Sequence, residues 1–358
     1  MSKVATGHYF EDFHVGMQLP HATPRTLTEG DVALYTALTG SRFAQHCAVP
    51  FARGNGLPAM PIDDLLAFHV VFGKSVPDIS LNAVANLGYA DGRFLDLVYP
   101  GETLSAQSEV IGLKETSSGK TGIVYVRTRG FKNATTPVLD PVLDYVRWVM
   151  VKKRDPAAPA PAPVVPELPA VVDAARLARP TSLGRLAIDP ARSGSPFFFE
   201  DYEVGERIDH VDGATVTDAE HRMATRLYQN TARVHFDDHR EKGGRLGATI
   251  VYGGVVISLA RALSFNGLGN LLHLLAINAG THANPCIGGD TVYAWSQVLD
   301  KADLDEDCGA LRLRLVATRN RPCADFPSRD DDGRHLPCVL LDLDYWGLMP
   351  KRAACVSK

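Results

Sequence analysis

Cysteine is sparse and unpatterned in this chain. Its six cysteines form no C-x-x-C pair, and five of them (Cys286, Cys308, Cys323, Cys338, Cys355) lie in the second half while Cys47 stands alone in the first. That scatter excludes a disulfide framework and a zinc site of ordinary spacing, so the thiols are read as reduced and no metal is expected. Basic stripes are missing too. Lys and Arg number 37 against 41 Asp and Glu, a net charge of −4, which leaves nothing to grip a nucleic-acid backbone. No apolar run reaches the roughly 18 residues of a membrane span, and the opening MSKVATGHYFEDF lacks the apolar core of a secretory signal. A cytoplasmic protein is expected, with neither membrane nor nucleic acid as partner. A Gly-rich phosphate loop is also absent, which argues against P-loop and dinucleotide sites.

What is present is a repeat. Tyr9–Gly16 (YFEDFHVG) returns as Phe198–Gly205 (FFEDYEVG), an offset of 198 − 9 = 189 residues. Thr26, Thr28, Asp31, Leu38 and His46 map by the same offset onto Thr215, Thr217, Glu220, Leu227 and His235. A period of that size is far beyond the roughly 20 to 50 residues of a solenoid unit, so two homologous globular domains are inferred. The seam between them is visible as DPAAPAPAPVVPELPA (155–170), an alanine and proline tract that favours extended backbone and cannot build a core. The division expected is a first domain over 1–154, a linker over 155–193 containing a short helix near Val171 to Ala178, and a second domain over 194–358.

Each half carries the same order of elements. Thr28 with Asp31, and Thr217 with Glu220, have the spacing of a helix-opening capping box. A more apolar helix is expected later in each half, over Ile62 to Lys74 and Val255 to Phe265, buried on nearly every side. Strand patterns follow, among them Thr121 to Arg129, Val142 to Lys152, Thr291 to Val298 and Leu311 to Thr318. Each half therefore reads as a long buried helix wrapped by an antiparallel sheet.

This pattern resembles an α+β double hot-dog fold, in the manner of the MaoC-like enoyl-CoA hydratases. Their motif is a helix ending in D-x-N-P-x-H followed by a Gly-containing turn into the central helix, here Asn230-Thr231-Ala232-Arg233-Val234-His235 and Tyr252-Gly253-Gly254. Longer blocks are similar to the mesaconyl-CoA hydratase branch of that family: GSRFA (40–44), IDDLLAFHVVFGKSVPDISLNAVANLGYADGRF (62–94), LDYVRWVMVKKRDP (143–156), RLYQNTARVHF (226–236), ISLARALSFNGL (257–268) and RPCADFP (321–327). They span both halves. The resemblance implies reversible hydration of mesaconyl-CoA to β-methylmalyl-CoA, as in the ethylmalonyl-CoA pathway, by a homo-oligomer of unspecified size. It implies no cofactor apart from the coenzyme A that belongs to the substrate.

Hydrating an enoyl thioester needs a base for water, an acid for the α-carbon and donors for the enolate-like oxygen. His235 matches the family's catalytic histidine, against the alternative of a buried ring that merely satisfies a hydrogen bond. Gly253 and Gly254 open a helix whose first amides are free, and are read either as an oxyanion hole or simply as a tight turn. The family's aspartate is replaced by Asn230, which cannot accept a proton. Asp63 or Asp64, at the start of the first buried helix and set opposite Gly254-Val255, could supply the missing acid across the domains, or could only cap their helix. Both are preferred to Asp237 and Asp238, while His46 and His69 are read as structural. Arg233, with Arg226 and Arg222, is offered as a partner for the substrate carboxylate, and Tyr228 as a substrate-binding residue. One working site is expected, in the second half. An acyl-CoA thioesterase, or a silent acyl-CoA-binding protein, stays open on the same fold.

Overall fold

The computed structural model describes residues 3–135, 138–244 and 246–356. Both capping signals form. Asp31 takes the Thr28 amide at 2.8 Å and the helix Glu29–Thr39 follows, and Glu220 takes the Thr217 amide at 3.0 Å ahead of the helix Asp218–Leu227. The repeated F-E-D explains itself in the same way. Glu11 accepts the Arg154 amide at 2.8 Å just beyond the end of the first domain's last strand, and Glu200 accepts the Arg352 amide at 2.9 Å in the second. Asp12 pairs with Arg154, and Asp201 with Arg352.

The ten strands are β1 (Gln18–Thr26), β2 (Ala83–Phe94), β3 (Thr103–Glu115), β4 (Thr121–Thr135), β5 (Val138–Lys152), β6 (Arg207–Thr215), β7 (His273–His282), β8 (Thr291–Asp303), β9 (Cys308–Arg319) and β10 (Val339–Pro350). They form one antiparallel sheet in the order β1-β3-β4-β5-β2-β7-β10-β9-β8-β6. The order reads the same from either edge once the repeat is applied, so the sheet has a pseudo-twofold axis at the β2/β7 seam. There Tyr89 faces Gly280 and Arg93 faces Ala276.

Each half-sheet wraps a central helix, Asp64–Ser75 in the first domain and Gly253–Leu263 in the second. Every residue of the first is buried, as its continuous apolar character requires. The second starts two residues before the expected Val255, because both glycines belong to its first turn. It closes at a kink where Gly267 takes a φ of 109°. The helices meet across the pseudo-dyad through Ser258, whose hydroxyl lies 3.0 Å from both the Tyr35 hydroxyl and Nε2 of His69. This is the double hot-dog arrangement.

The connection between the halves is exposed in its first part and packed in its second. Residues 155–170 are largely exposed, though Val164 exchanges two 2.8 Å backbone bonds with Leu113. From Val172 onward the chain is packed: Val172, Leu183, Leu186 and Ile188 are buried against Trp346 and Leu348, and the Trp346 indole donates to the Val172 carbonyl. The short helix expected near Val171 to Ala178 is a single 3-10 turn, Ala174–Arg176. No described helix is long and apolar enough to cross a membrane.

Candidate active site

After the helix Asp218–Leu227 the chain reverses through Gln229 at a φ of 52°, and a short turn, Arg233–His235, presents the motif histidine. Nδ1 of His235 lies 2.9 Å from the Ile250 carbonyl. A carbonyl only accepts, so Nδ1 carries the proton and Nε2 keeps its lone pair. Burial pushes the pKa of His235 down to about 4, only partly offset by that carbonyl bond, so the ring is a neutral base at pH 7. Asn230 uses its Oδ1 to accept the Ala232 amide at 3.0 Å, which leaves Nδ2 as an unpartnered donor. A carboxamide can donate a hydrogen bond there but cannot take up a proton.

The second central helix begins beside this histidine. Its N-cap, Tyr252, supplies no side-chain cap; the Val255 amide bonds the Tyr252 carbonyl at 2.8 Å, and Gly253 lines the site with its amide uncapped by any side chain. The glycines there are required by close approach. A β-carbon on Gly253 would stand 2.6 Å from both ring nitrogens of His282, and one on Gly254 would stand 2.6 Å from Nδ1 of His69. Burial also depresses His282, to about 4, with the neighbouring His235 as a further cause; its Nε2 lies 3.2 Å from the Tyr89 hydroxyl. The Tyr252 ring packs 5.4 Å from that of His235, and its hydroxyl has no partner.

These groups share a cavity of about 370 Å³ at the junction of the domains, with Asn230, His235, Tyr252, Gly253 and His282 from the second domain and Phe72, Asn86 and Arg147 from the first. No Asp or Glu lines it among the described residues. A second cavity of about 460 Å³, edged by Lys74 and Arg226, reaches Asn230 from the other side.

Asp63 and Asp64 lie elsewhere. Oδ1 of Asp63 caps the amide of Leu65 at 2.9 Å and lies 3.3 Å from the Tyr35 hydroxyl, and Oδ2 of Asp64 accepts the amide of Leu274 at 2.8 Å. Neither lines the cavity of His235. The cause is register: the central helices start at Asp64 and Gly253, so the offset is 253 − 64 = 189, and Asp63 corresponds to Tyr252 rather than to Gly254. The two acids sit in the pseudo-symmetric position beside His46, where Asp64 faces His273 at 3.5 Å. His46 repeats the geometry of His235, with Nδ1 at 3.4 Å from the Pro61 carbonyl, but its Nε2 is taken by the Leu272 carbonyl at 3.0 Å. That ring has no nitrogen left for a substrate.

The remaining expectations divide. Arg233 is exposed, Arg222 is bound to Asp238 and Thr249, and Arg226 edges the second cavity, so none of the three reaches the cavity of His235. Tyr228 is buried between His69 and Tyr252 and shapes the wall from behind. Asp237 caps the amide of Arg240. Arg147, His282 and Tyr89 lie outside the motif, and the role of the Tyr252 hydroxyl is not marked by it. Arg147 carried a signal nonetheless, as a charged residue inside the apolar run LDYVRWVM.

A hot-dog pair with a histidine turn facing a glycine-opened central helix defines the MaoC-like dehydratases. The chain aligns with a crystal structure of a MaoC domain protein dehydratase from Chloroflexus aurantiacus at a TM-score of 0.93 and 57% identity, covering 98% of this chain and 100% of that one. A double-hotdog protein from Mycobacterium tuberculosis aligns at 0.73 and 25% identity, covering 96% of this chain and 98% of that one. Residues 2–165 match the family described as mesaconyl-CoA hydratase. A β-methylmalyl-CoA dehydratase of Chloroflexus aurantiacus is 58% identical over 98% of this chain and 99% of its own length. A mesaconyl-CoA hydratase of Cereibacter sphaeroides is 57% identical over 98% of this chain and all of its own. The chain belongs to the mesaconyl-CoA hydratase family.

Proposed function

We propose that the chain is a hydro-lyase that adds water reversibly to mesaconyl-CoA, giving β-methylmalyl-CoA. The observation that carries this reading is the cavity in which a neutral His235, held with Nε2 free, faces the uncapped first turn of the helix at Gly253. Nε2 takes a proton from water as the oxygen bonds to the β-carbon. The negative charge that develops on the thioester oxygen is met by the amides of Gly253 and Gly254, where the helix dipole adds to the hydrogen bonds. The imidazolium then returns its proton to the α-carbon, so one molecule of water is added and no group is left over. Asn230 Nδ2 and the Tyr252 hydroxyl, both donors without partners, hold the water or the thioester in place.

This chemistry asks for acid, base and dipoles only, so no cofactor is needed beyond the coenzyme A of the substrate. We infer further that the enzyme works in the cytoplasm as a homo-oligomer of such chains.

Incubation with mesaconyl-CoA tests the reading. Loss of the enoyl absorbance with the thioester intact is expected; release of free thiol would make the protein a thioesterase instead. His235→Ala should abolish turnover, while His46→Ala should retain it per folded molecule. Equal losses from both would sink the single-site account.

A further inference from the structure

Arg147 lies in the middle of β5, 0% exposed, in the wall of the cavity that holds His235 and Gly253. Its guanidinium carbon stands 4.3 Å from the centre of the Phe72 ring, and Nη2 donates to Ser75 Oγ at 2.9 Å and to Ser80 Oγ at 3.4 Å. Nε and Nη1 have no acceptor. Among the described residues no Asp or Glu pairs with it. The titratable neighbours are instead the hydroxyls of Tyr89, Tyr145 and Tyr252. Three other sheet arginines are treated differently: Arg127 holds Asp91 at 2.7 Å, Arg312 holds Asp344 at 2.6 Å, and Arg314 holds Asp342 at 2.7 Å.

A guanidinium does not shed its proton inside a protein. A full positive charge therefore stands in a closed wall without a counter-ion, an arrangement that costs stability and that an apolar side chain would avoid. An anion entering the cavity would relieve it. Charge-assisted N–H···O bonds to a carboxylate are the strong class of hydrogen bond, and the N–H groups of Nη1 and Nε are unspent.

We propose that Arg147 is the specificity-determining anchor for the free carboxylate of a dicarboxylic acyl-CoA, the one borne by the β-carbon on the side away from the thioester. The proposal rests on the enoyl-CoA reading of the site. The thioester oxygen lies at the Gly253 end, contributed by the second domain. The acyl chain then runs past His235 to the guanidinium contributed by the first. Monocarboxylic acyl chains are rejected because an alkyl end leaves the buried charge bare. The pairing of one domain's arginine with the other's histidine is also why neither half suffices alone.

Two saturated thioesters that cannot be hydrated separate this role from catalysis: 2-methylsuccinyl-CoA carrying a free carboxylate, and 2-methylbutyryl-CoA with a methyl group in its place. Isothermal titration of the full chain should give a dissociation constant about 10- to 100-fold lower for the first, the usual worth of charge-assisted bonds to a carboxylate. In Arg147→Met that ratio should fall to about one. Removing an unpaired buried charge should leave the melting temperature unchanged or higher. Arg147→Gln is the second variant, with the same expected ratio, should the methionine variant fail to fold. A preference that survives in either folded variant, or a wild-type ratio near one, overturns the anchor. Turnover of mesaconyl-CoA by the wild type is read separately. Its absence beside an intact binding preference would sink the hydratase reading and leave the anchor standing.

Discussion

The imidazole of His282 lies directly against the bare Cα of Gly253, so that a β-carbon there would stand 2.6 Å from both ring nitrogens. The contact ties the end of β7 to the first turn of the central helix, and with it the proposed oxyanion donors to the cavity wall. Glycine is demanded here by the ring rather than by backbone twist.

Gly253→Ala should therefore act on turnover more than on folding. The methyl group must push His282 aside or tilt the first turn, and displacing an oxyanion donor costs about 10² to 10³ in kcat. The melting temperature should fall by only a few degrees, as for an overpacked contact worth about 1 to 3 kcal/mol. Steady-state kinetics and a thermal melt check this, and unchanged kcat would remove the Gly253 amide from the mechanism.

Much of this arrangement was legible in the sequence because it is local or repeated. The 189-residue offset, the capping boxes at Thr28 and Thr217 and the histidine turn all depend on nearby residues, and all appear in the structure. The cross-domain part was not. The cavity draws Arg147 and Asn86 from the first domain and His282 from a strand far along the chain, and only the β2/β7 seam brings them together. Residues 142–147 of β5 are buried on both faces, so no alternation marks which of its side chains meets the site. Asp63 and Asp64 were set against the wrong residues by two positions, a slip that carries a side chain to the opposite face of a helix.

Asp63 and Asp64 should now behave as structural acids. Asp63→Ala removes a cap and should cost about 1 kcal/mol, whereas Asp63→Asn keeps an accepting oxygen and should cost little. Asp64→Asn leaves an acceptor for the Leu274 amide but withdraws the charge facing His273, and should lower stability with kcat retained. A fall of about 10² or more in kcat at unchanged melting temperature, the signature of a lost general acid, would return either residue to the mechanism.

Acid should weaken the fold well before it silences the base. Burial holds His69 at about 3 and His210, His235 and His282 at about 4 against an ordinary value of 6.5. Below 6.5 the unfolded chain binds protons at these histidines while the folded chain does not, so stability must fall as pH falls. The loss begins near pH 6.5 and ends only when the folded rings titrate, at about 4 and below. His235 meanwhile stays neutral, so kcat of the folded fraction should remain level down to about pH 5, with its acid limb nearer 4 than 6.5. Denaturant titrations at pH 7, 6 and 5, paired with initial rates, separate the two effects. A stability that does not change over that range, or a rate that halves near pH 6.5 in fully folded protein, would show that His235 is solvated and titrates as an ordinary surface imidazole.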